Sequence, residues 1–298
     1  MTFCILYTVS MTQDSYALLD LASGRRLEQW GPYRLIRPDP GSLGDTVKPE
    51  LWEAADAIYD GEKGKGEWRA GPGGTSVPEQ WPVAFDDLQM LVRLAPYKHT
   101  GVFPEQLQNW QWMRAQAAQS ARSLTVLNLF AYTGGATMAL AKDGHKVTHV
   151  DASKPAITWA KENAVLNALP SDAIRWILDD ATVFAARERK RGKSYDAILL
   201  DPPAYGHAPT GKTWRVERDL APLLEHCAAL LSAQPCFLLL NGYAQHDTAD
   251  SFHRLLTGIL HTAKVKAPFT IDARELFLRA EDGRSLSTGV TARVMFGG

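Results

Sequence analysis

Val126-Leu-Asn-Leu-Phe-Ala-Tyr-Thr-Gly-Gly-Ala-Thr137 is an apolar run that ends in a paired-glycine turn and then opens into helix-forming residues. A second apolar run, residues 146–150, ends in Asp151, and a third, Ala197-Ile-Leu-Leu200, ends in Asp201-Pro202-Pro203-Ala204-Tyr205. Strand, glycine turn and helix in this order predict a βαβ unit.

The same rhythm continues on both sides. Helical spacing is expected over 104–119, 135–142, 155–166, 181–189, 220–231 and 249–260. Strands are expected over 124–129, 146–150, 175–178, 197–200 and 237–240, with two more in the tail around 276–278 and 291–296. Ser153 is placed to cap the helix that Pro155 opens, and Asp143-Gly144 to end the one before. Such alternation implies an α/β domain with a mostly parallel, Rossmann-like sheet covered by helices, over residues 98–298. Residues 1–97 read differently, being rich in Gly, Pro and Trp. Tyr16 to Trp30 around Ala22-Ser-Gly24 reads as a hairpin, and 33–36 as a strand stopped by Pro38. Residues 51–59 read as a short helix, 61–74 as a loop or wide hairpin tip, and 82–94 as extended. A small, mostly β N-terminal domain is expected.

Composition excludes several classes. At 298 residues, 45% hydrophobic and 22% charged, the chain has the balance of a globular protein with a sizeable core. Its formal net charge of −1 excludes a strongly basic nucleic-acid coat, although Arg25-Arg26 and residues 34–37 are locally basic. Cys4, Cys227 and Cys236 are odd in number and far apart. They form neither a disulfide framework nor a metal cluster, and fit a reducing compartment. No His pair has metal-ligand spacing, so no metal is expected. The start, MTFCILYTVS, lacks a basic flank and reads as a strand rather than a signal peptide. No run suggests a membrane span. A cytoplasmic protein is expected, and nothing in the chain fixes an oligomeric state.

Ligands of open α/β sheets sit at the carboxyl ends of the strands, where strand order reverses. Gly134 and Gly135 permit a tight turn and close approach of a ligand. Asp151, seventeen residues after Gly134, can accept both hydroxyls of a ribose. Asp180 can accept from an adenine amino group, with Ala181 along the ring. Each taken alone has a plainer role, as a turn or a helix cap; their order on successive strand ends carries the weight. The loop lacks the G-x-G-x-x-G of dinucleotide binding, so a cofactor without a diphosphate, S-adenosylmethionine, fits better. Gly206 with Gly211-Lys212-Thr213 meets the phosphate-loop spacing but follows Asp-Pro-Pro rather than a strand. In Asp201-Pro202-Pro203 two prolines stiffen a strand end and leave carbonyls beside a carboxylate, an acceptor array for a planar amino edge. Tyr205 offers a face for stacking a base. Methyl transfer from a sulfonium needs alignment and water exclusion rather than a catalytic triad.

With these motifs, residues 98–298 resemble class I S-adenosylmethionine-dependent methyltransferases. The likeness is closer to the branch that includes large-subunit ribosomal RNA methyltransferases with L-F-A-Y-T-G and D-P-P-x-F/Y motifs. Lys98-His-Thr-Gly-Val-Phe-Pro-Glu-Gln106 with Asn109-Trp110, Trp159-Ala-Lys-Glu-Asn-Ala164, and Asp201-Pro-Pro-Ala-Tyr-Gly206 with Trp214 carry it. The resemblance implies S-adenosyl-L-methionine contacts at Phe130, Ala131, Tyr132, Thr133, Gly134, Gly135, Asp151, Asp180 and Ala181, and at Gln106 and Asn163. It implies a substrate-facing, catalytic role for Asp201, Pro202, Pro203 and Tyr205.

Two departures refine it. Asn128 stands where many class I enzymes carry an acid, as in this branch. Members that methylate cytosine C5 attack with a Cys after the fifth strand, but here that strand ends in Leu240-Asn241-Gly242. Covalent C5 methylation is therefore disfavoured and a nitrogen acceptor expected. The expected activity is methylation of a nucleobase nitrogen in RNA, ribosomal RNA by kinship. A small-molecule or protein acceptor, and a non-catalytic cofactor-binding module, stay open.

Overall fold

The computed structural model describes residues 15–62, 65–207, 213–244 and 247–297. The expected first strand at the N-terminus, Cys4 and Gly211-Lys212 lie outside them. The described residues form two compact units: one runs up to Gly101 and includes Arg279–Leu286, and the other comprises Val102–Leu278 and the residues from Ser287 on.

The first unit contains β1 (Tyr16–Ala22), β2 (Arg25–Trp30), β3 (Tyr33–Pro38), α1 (Pro49–Glu53), β4 (Ala57–Glu62), β5 (Lys65–Ala70), β6 (Gln80–Phe85) and β7 (Leu88–Arg93). β1 to β5 form one sheet in sequence order, parallel only between β3 and β4, and β6 and β7 form a separate hairpin. Ser23 and Gly24 both have left-handed φ, 50° and 74°, the turn that matches hairpin twist. The helix expected over 51–59 stops at Glu53, because Ala57, Ile58 and Tyr59 pair with Ala70, Arg69 and Trp68. Tyr59 is buried edge-on to Trp68, and burial in a sheet outweighs local helix propensity. Of the two readings of 61–74, a loop or a wide hairpin tip, the hairpin is observed, since the antiparallel β4–β5 pairing runs out to Glu62 and Lys65.

The second unit opens with a 3-10 turn (Pro104–Gln106) and α2 (Leu107–Ala117). It continues through β8 (Thr125–Leu129), α3 (Gly135–Lys142), β9 (Lys146–Asp151), α4 (Lys154–Leu166), β10 (Ile174–Leu178), α5 (Ala181–Lys190) and β11 (Ala197–Leu200). Then come β12 (Tyr205–His207), β13 (Thr213–Arg215), α6 (Val216–Leu230), β14 (Phe237–Gly242), α7 (Ala249–Thr262), β15 (Phe269–Arg279) and β16 (Ser285–Phe296). The sheet order is β10-β9-β8-β11-β14-β16-β15, with β10 to β14 parallel and β16 antiparallel to β14. This is an α/β, Rossmann-like sheet accompanied by a β-rich N-terminal sheet. α6 starts four residues earlier than expected and holds Pro222 inside it, where one helical hydrogen bond is forgone. The short β12–β13 ribbon has no counterpart in the sequence reading.

β8, β11 and β14 are buried almost end to end, as central parallel strands covered on both faces must be. Alternate residues separate the faces. Leu127, Leu129, Ile198, Leu200, Leu238 and Leu240 join Phe184, Leu223 and Leu256 of α5, α6 and α7 in one core. On the other face Asn128 bonds Thr137 of α3, which packs on α2. The chain steps outward from β8 to β9 and β10, then returns to β11 on the other side of β8, so strand order reverses between β8 and β11.

In the first unit Glu28 is fully buried. It accepts from Arg37 Nε at 2.6 Å and from Tyr16 Oη at 2.9 Å, and Arg26 Nε lies 3.4 Å away. The two guanidiniums hold its carboxyl well below the usual carboxylate range despite burial. Replacing one partner of such a pair leaves the other charge desolvated and uncompensated. Glu28→Ala is expected to destabilise the protein by about 3–5 kcal/mol, read as a lower urea midpoint; a loss below about 1 kcal/mol, the value of an exposed pair, would contradict this.

Candidate active site

Strand register brings the expected site residues to one edge. Ile177, Val150, Leu129, Leu200 and Leu240 pair across the five parallel strands as a single row. The residues that follow them are Leu178, Asp151, Phe130, Asp201 and Asn241. Asp151, the glycine loop and Asp201 therefore share the carboxyl edge, on either side of the reversal point, where open α/β sheets bind ligands.

The loop after β8 is folded tightly. Phe130, Tyr132 and Gly134 have left-handed φ of 56°, 50° and 87°. Two of these are non-glycine residues, a cost that tertiary contacts must offset. Asp151 supplies one: its Oδ2 accepts from Tyr132 N at 2.8 Å while Oδ1 accepts from Ser153 N. Asn163, fully buried on α4, donates to Thr133 O at 2.9 Å. The glycines serve different needs. Gly134 takes the left-handed cap of α3, whereas a Cβ on Gly135 would stand 2.0 Å from the Trp110 ring. Gly135 thus lets α3 approach α2. Beneath the loop, Asn128, Thr137 and His149 form a buried chain with bonds of 2.9 Å. Desolvation pushes His149 down to about 3, so it stays neutral.

Asp201-Pro202-Pro203 leaves β11 beside this loop. Trp214 Nε1 donates to Pro203 O at 2.8 Å and its ring lies 4.9 Å from that of Phe130, pinning the segment to the glycine loop. The Pro203 carbonyl, expected to stand free, is thereby engaged. Tyr205 is 54% exposed on the β12–β13 ribbon. The His207 side chain, a weaker candidate neighbour of the substrate, lies outside the described residues.

Asp180 is the N-cap of α5, its Oδ1 accepting from Val183 N at 2.9 Å, with Ala181 buried behind it. It stands at the same edge after β10, and the capping role weighed for it is the one observed. Gln106 is buried and hydrogen-bonded to Tyr243 Oη at 2.8 Å. Asn241 and Tyr243, at the end of β14, were not singled out from the sequence. The signal was present only as polar residues closing an apolar strand. Cys227 is buried in α6, and Cys236 precedes β14 at the opposite edge of the sheet. Neither stands at the carboxyl edge, and among the described residues no cluster of three or more His, Cys, Asp or Glu is placed to hold a metal. No described helix is long and apolar enough to cross a membrane.

The electrostatics single out Asp201. Burial pushes its carboxyl up to about 6, opposed by the nearby polar groups of Tyr243 and Asn241. Its Oδ1 is buried and has no hydrogen-bond partner among the described residues. Burial also raises Asp151, opposed by the backbone N–H groups of Ser153, Tyr132 and Ala152. Asp151 and Asp201 are thus two desolvated carboxyls that flank the glycine loop at the carboxyl edge of the sheet.

Because the Asp201 carboxyl binds its proton more tightly in the folded state, its contribution to stability is present below the unfolded value of 3.8 and is lost as pH rises through about 6. Asp201→Asn is therefore expected to be the more stable protein at pH 8, by up to about 3 kcal/mol, and to match the wild type near pH 4. Thermal melts across that range check this; equal melting temperatures at pH 8 would refute the desolvated carboxylate.

Residues 63–248 match the family model described as S-adenosylmethionine-dependent methyltransferase. The chain is 34% identical over 176 residues to Ribosomal RNA large subunit methyltransferase K/L of Alteromonas mediterranea, covering 57% of this chain and 24% of that protein. It is 34% identical over 162 residues to the Acinetobacter baylyi protein of the same name, covering 52% and 21%. It thus spans about a quarter or less of these curated relatives. Among solved structures it resembles the SAM-dependent methyltransferase from Agrobacterium tumefaciens, at 38% identity and TM-score 0.88 over 94% of this chain and 90% of that one. SMU.776, solved in complex with SAH, shares the fold at 17% identity and TM-score 0.72 over 96% and 76%. With its glycine loop, strand-end carboxylates and Asp-Pro-Pro corner inside the matched segment, the chain belongs to the S-adenosylmethionine-dependent methyltransferase family.

Proposed function

We propose that this methyltransferase modifies an amino nitrogen of a nucleobase in RNA. The observation that carries the reading is the buried, unpartnered Oδ1 of Asp201 just after β11, four residues before the exposed ring of Tyr205. An exocyclic amine donates hydrogen bonds and lies in the plane of a base. Asp201, with the Pro202 carbonyl next to it, accepts from that edge, and Tyr205 stacks on the face. Pro202 and Pro203 keep the acceptors from turning away. The kinship with proteins named as ribosomal RNA methyltransferases supports RNA as the bearer of the base.

In this reading Asp151 accepts from the ribose, and Asp180 with Ala181 borders the adenine. Phe130, Ala131, Tyr132, Thr133, Gly134 and Gly135 wrap the remainder. When bound, S-adenosylmethionine supplies an electrophilic methyl group on a sulfonium. The chain's own part is to orient the amine, hold its proton-bearing edge at Asp201 and keep water out. Cys227 and Cys236 are free thiols, which supports a reducing, cytoplasmic setting.

Two measurements test this. By calorimetry Asp151→Ala is expected to bind S-adenosylmethionine more weakly by about 1–3 kcal/mol. With a radiolabelled methyl donor and a cell extract, label is expected in RNA, in an amino position of a base, and lost with Asp201→Ala. Label confined to protein or small molecules, or undiminished transfer by Asp201→Ala, would replace this reading.

A further inference from the structure

A cavity opens at the edge of the sheet opposite the reacting groups. Its volume is about 350 Å³, and its lining includes Lys146 at the start of β9, Arg175 of β10, Glu188 of α5, and Lys193, Ser194 and Tyr195 on the way into β11. Cations gather around it. Residues 187–193 set Arg187, Arg189, Lys190, Arg191 and Lys193 against one acid, Glu188, in a chain whose 32 Lys and Arg are matched by 33 Asp and Glu. The surplus is therefore local. Arg187, Arg189 and Lys190 close the last turn of α5, where positive charge answers the negative end of the helix. That account does not extend to Lys146 and Arg175, which stand on strands, or to Lys193, which lies beyond the helix.

Glu188 organises the group. It is fully buried and accepts from Tyr195 Oη at 2.7 Å, from Arg191 at 3.0 Å and from Arg175 at 3.2 Å. Despite burial, these bonds hold its carboxyl below the usual carboxylate range, so it stays charged at neutral pH. One negative charge thus serves two guanidiniums and leaves one positive charge over. The side chains of Arg175 and Arg191 remain 48% and 56% exposed, with further N–H groups to offer. Arg175 is also fixed over the Phe184 ring, its Cζ 5.5 Å from the ring centre. The pair is held in place before a ligand arrives, which lowers the entropy cost of binding one. Lys193 is exposed and has no ion-pair partner among the described residues. Lys146 meets Asp172 in an exposed pair at 2.6 Å.

We propose that this cavity binds phosphate groups of the RNA backbone, as a contact separate from the one that holds the modified base. The inference rests on the reading of RNA as the substrate. A guanidinium fork matches two oxygens of a phosphodiester, and a lysine ammonium beside it adds charge without demanding direction. Such contacts set position and register and read no sequence. From Lys146 to Asp151, β9 carries the chain from this edge to the reacting one, roughly 17 Å at about 3.3 Å per residue. A stacked strand with a phosphate about every 3.4 Å covers that distance in about five nucleotides. The cavity therefore serves RNA that runs past the modified nucleotide.

The test is the double variant Lys146→Ala/Lys193→Ala, which leaves Glu188 and both of its arginines in place and breaks only an exposed pair of small worth. Its binding to a fluorescein-labelled single-stranded RNA of about 30 nucleotides is read by anisotropy between about 50 and 200 mM salt. Affinity is expected to fall about tenfold, and the slope of log K against log salt to shrink by about 1 to 2. Calorimetry with S-adenosylmethionine is expected to give the wild-type affinity, which also shows that the variant is folded; Lys193→Ala alone serves if it is not. Lys264→Ala/Lys266→Ala, which removes the same charge from exposed positions after α7, is expected to keep the wild-type slope. An unchanged affinity and slope in Lys146→Ala/Lys193→Ala, or an equal fall in the Lys264→Ala/Lys266→Ala control, would overturn the proposal. Inorganic pyrophosphate is titrated in parallel against 15N-labelled protein. Shifts of the Lys193 and Ser194 amides that the RNA does not compete away would assign the cavity to free phosphate and also overturn it. If a labelled methyl donor marks no RNA in a cell extract, the functional reading fails by itself, and the slope of the double variant still decides the phosphate site.

Discussion

The reversal of strand order at β8 is the constraint on which the site depends. A parallel sheet needs a crossover after every strand, and crossovers that leave to opposite sides cannot both cover the carboxyl ends between them. The crevice therefore follows from topology alone. In-register pairing of Val150, Leu129 and Leu200 then converts sequence position into height: Asp151, Phe130 and Asp201 are each the next residue, and so share one edge. A slip of one residue in any of these strands would move a carboxylate to the wrong level and turn its apolar neighbours to the wrong face.

Holding ligand groups at that edge works against the fold's own stability. Phe130 and Tyr132 keep left-handed backbones, and Asp201 is kept desolvated with an oxygen left over. Neighbouring side chains offset the backbone cost: Asp151 and Asn163 tie down the loop, and Trp214 ties Pro203 to the Phe130 side. Local strain and an unfilled acceptor gathered at one end of a well-packed sheet are what a binding site costs a protein of ordinary stability.

The sheet was legible because its strands are short, apolar and punctuated. Val126 to Leu129, Ala197 to Leu200 and Phe237 to Leu240 can be little else between helical repeats. The carboxylates were legible for the same reason, since Asp151 and Asp201 each close such a run. What escaped was non-local. Ala57 to Tyr59 carries helix-compatible residues, but its partners Ala70 to Trp68 decide its state. The spacing shows Gly135 but not the Trp110 ring that a side chain there would strike. Gln106 and Tyr243 are 137 positions apart, and no local pattern announces that they share a hydrogen bond.

A polar network in that place needs a reason, because apolar side chains of similar volume would pack there without desolvating an arginine. Its members show what an apolar core could not do. Arg293 donates to Asn109 Oδ1, and Asn109 Nδ2 donates in turn to Gln106 Oε1 and Asn241 Oδ1. Leu in place of Gln106 and Asn241 would leave that buried amide nitrogen without an acceptor. An exposed network would lose its polarity to water instead, since free amides turn over. Only a buried chain anchored by a group without acceptors, as Arg293 is, keeps every amide in one orientation. The buried arginine thus decides, through Asn109, that Gln106 presents its amide nitrogen to Tyr243 Oη.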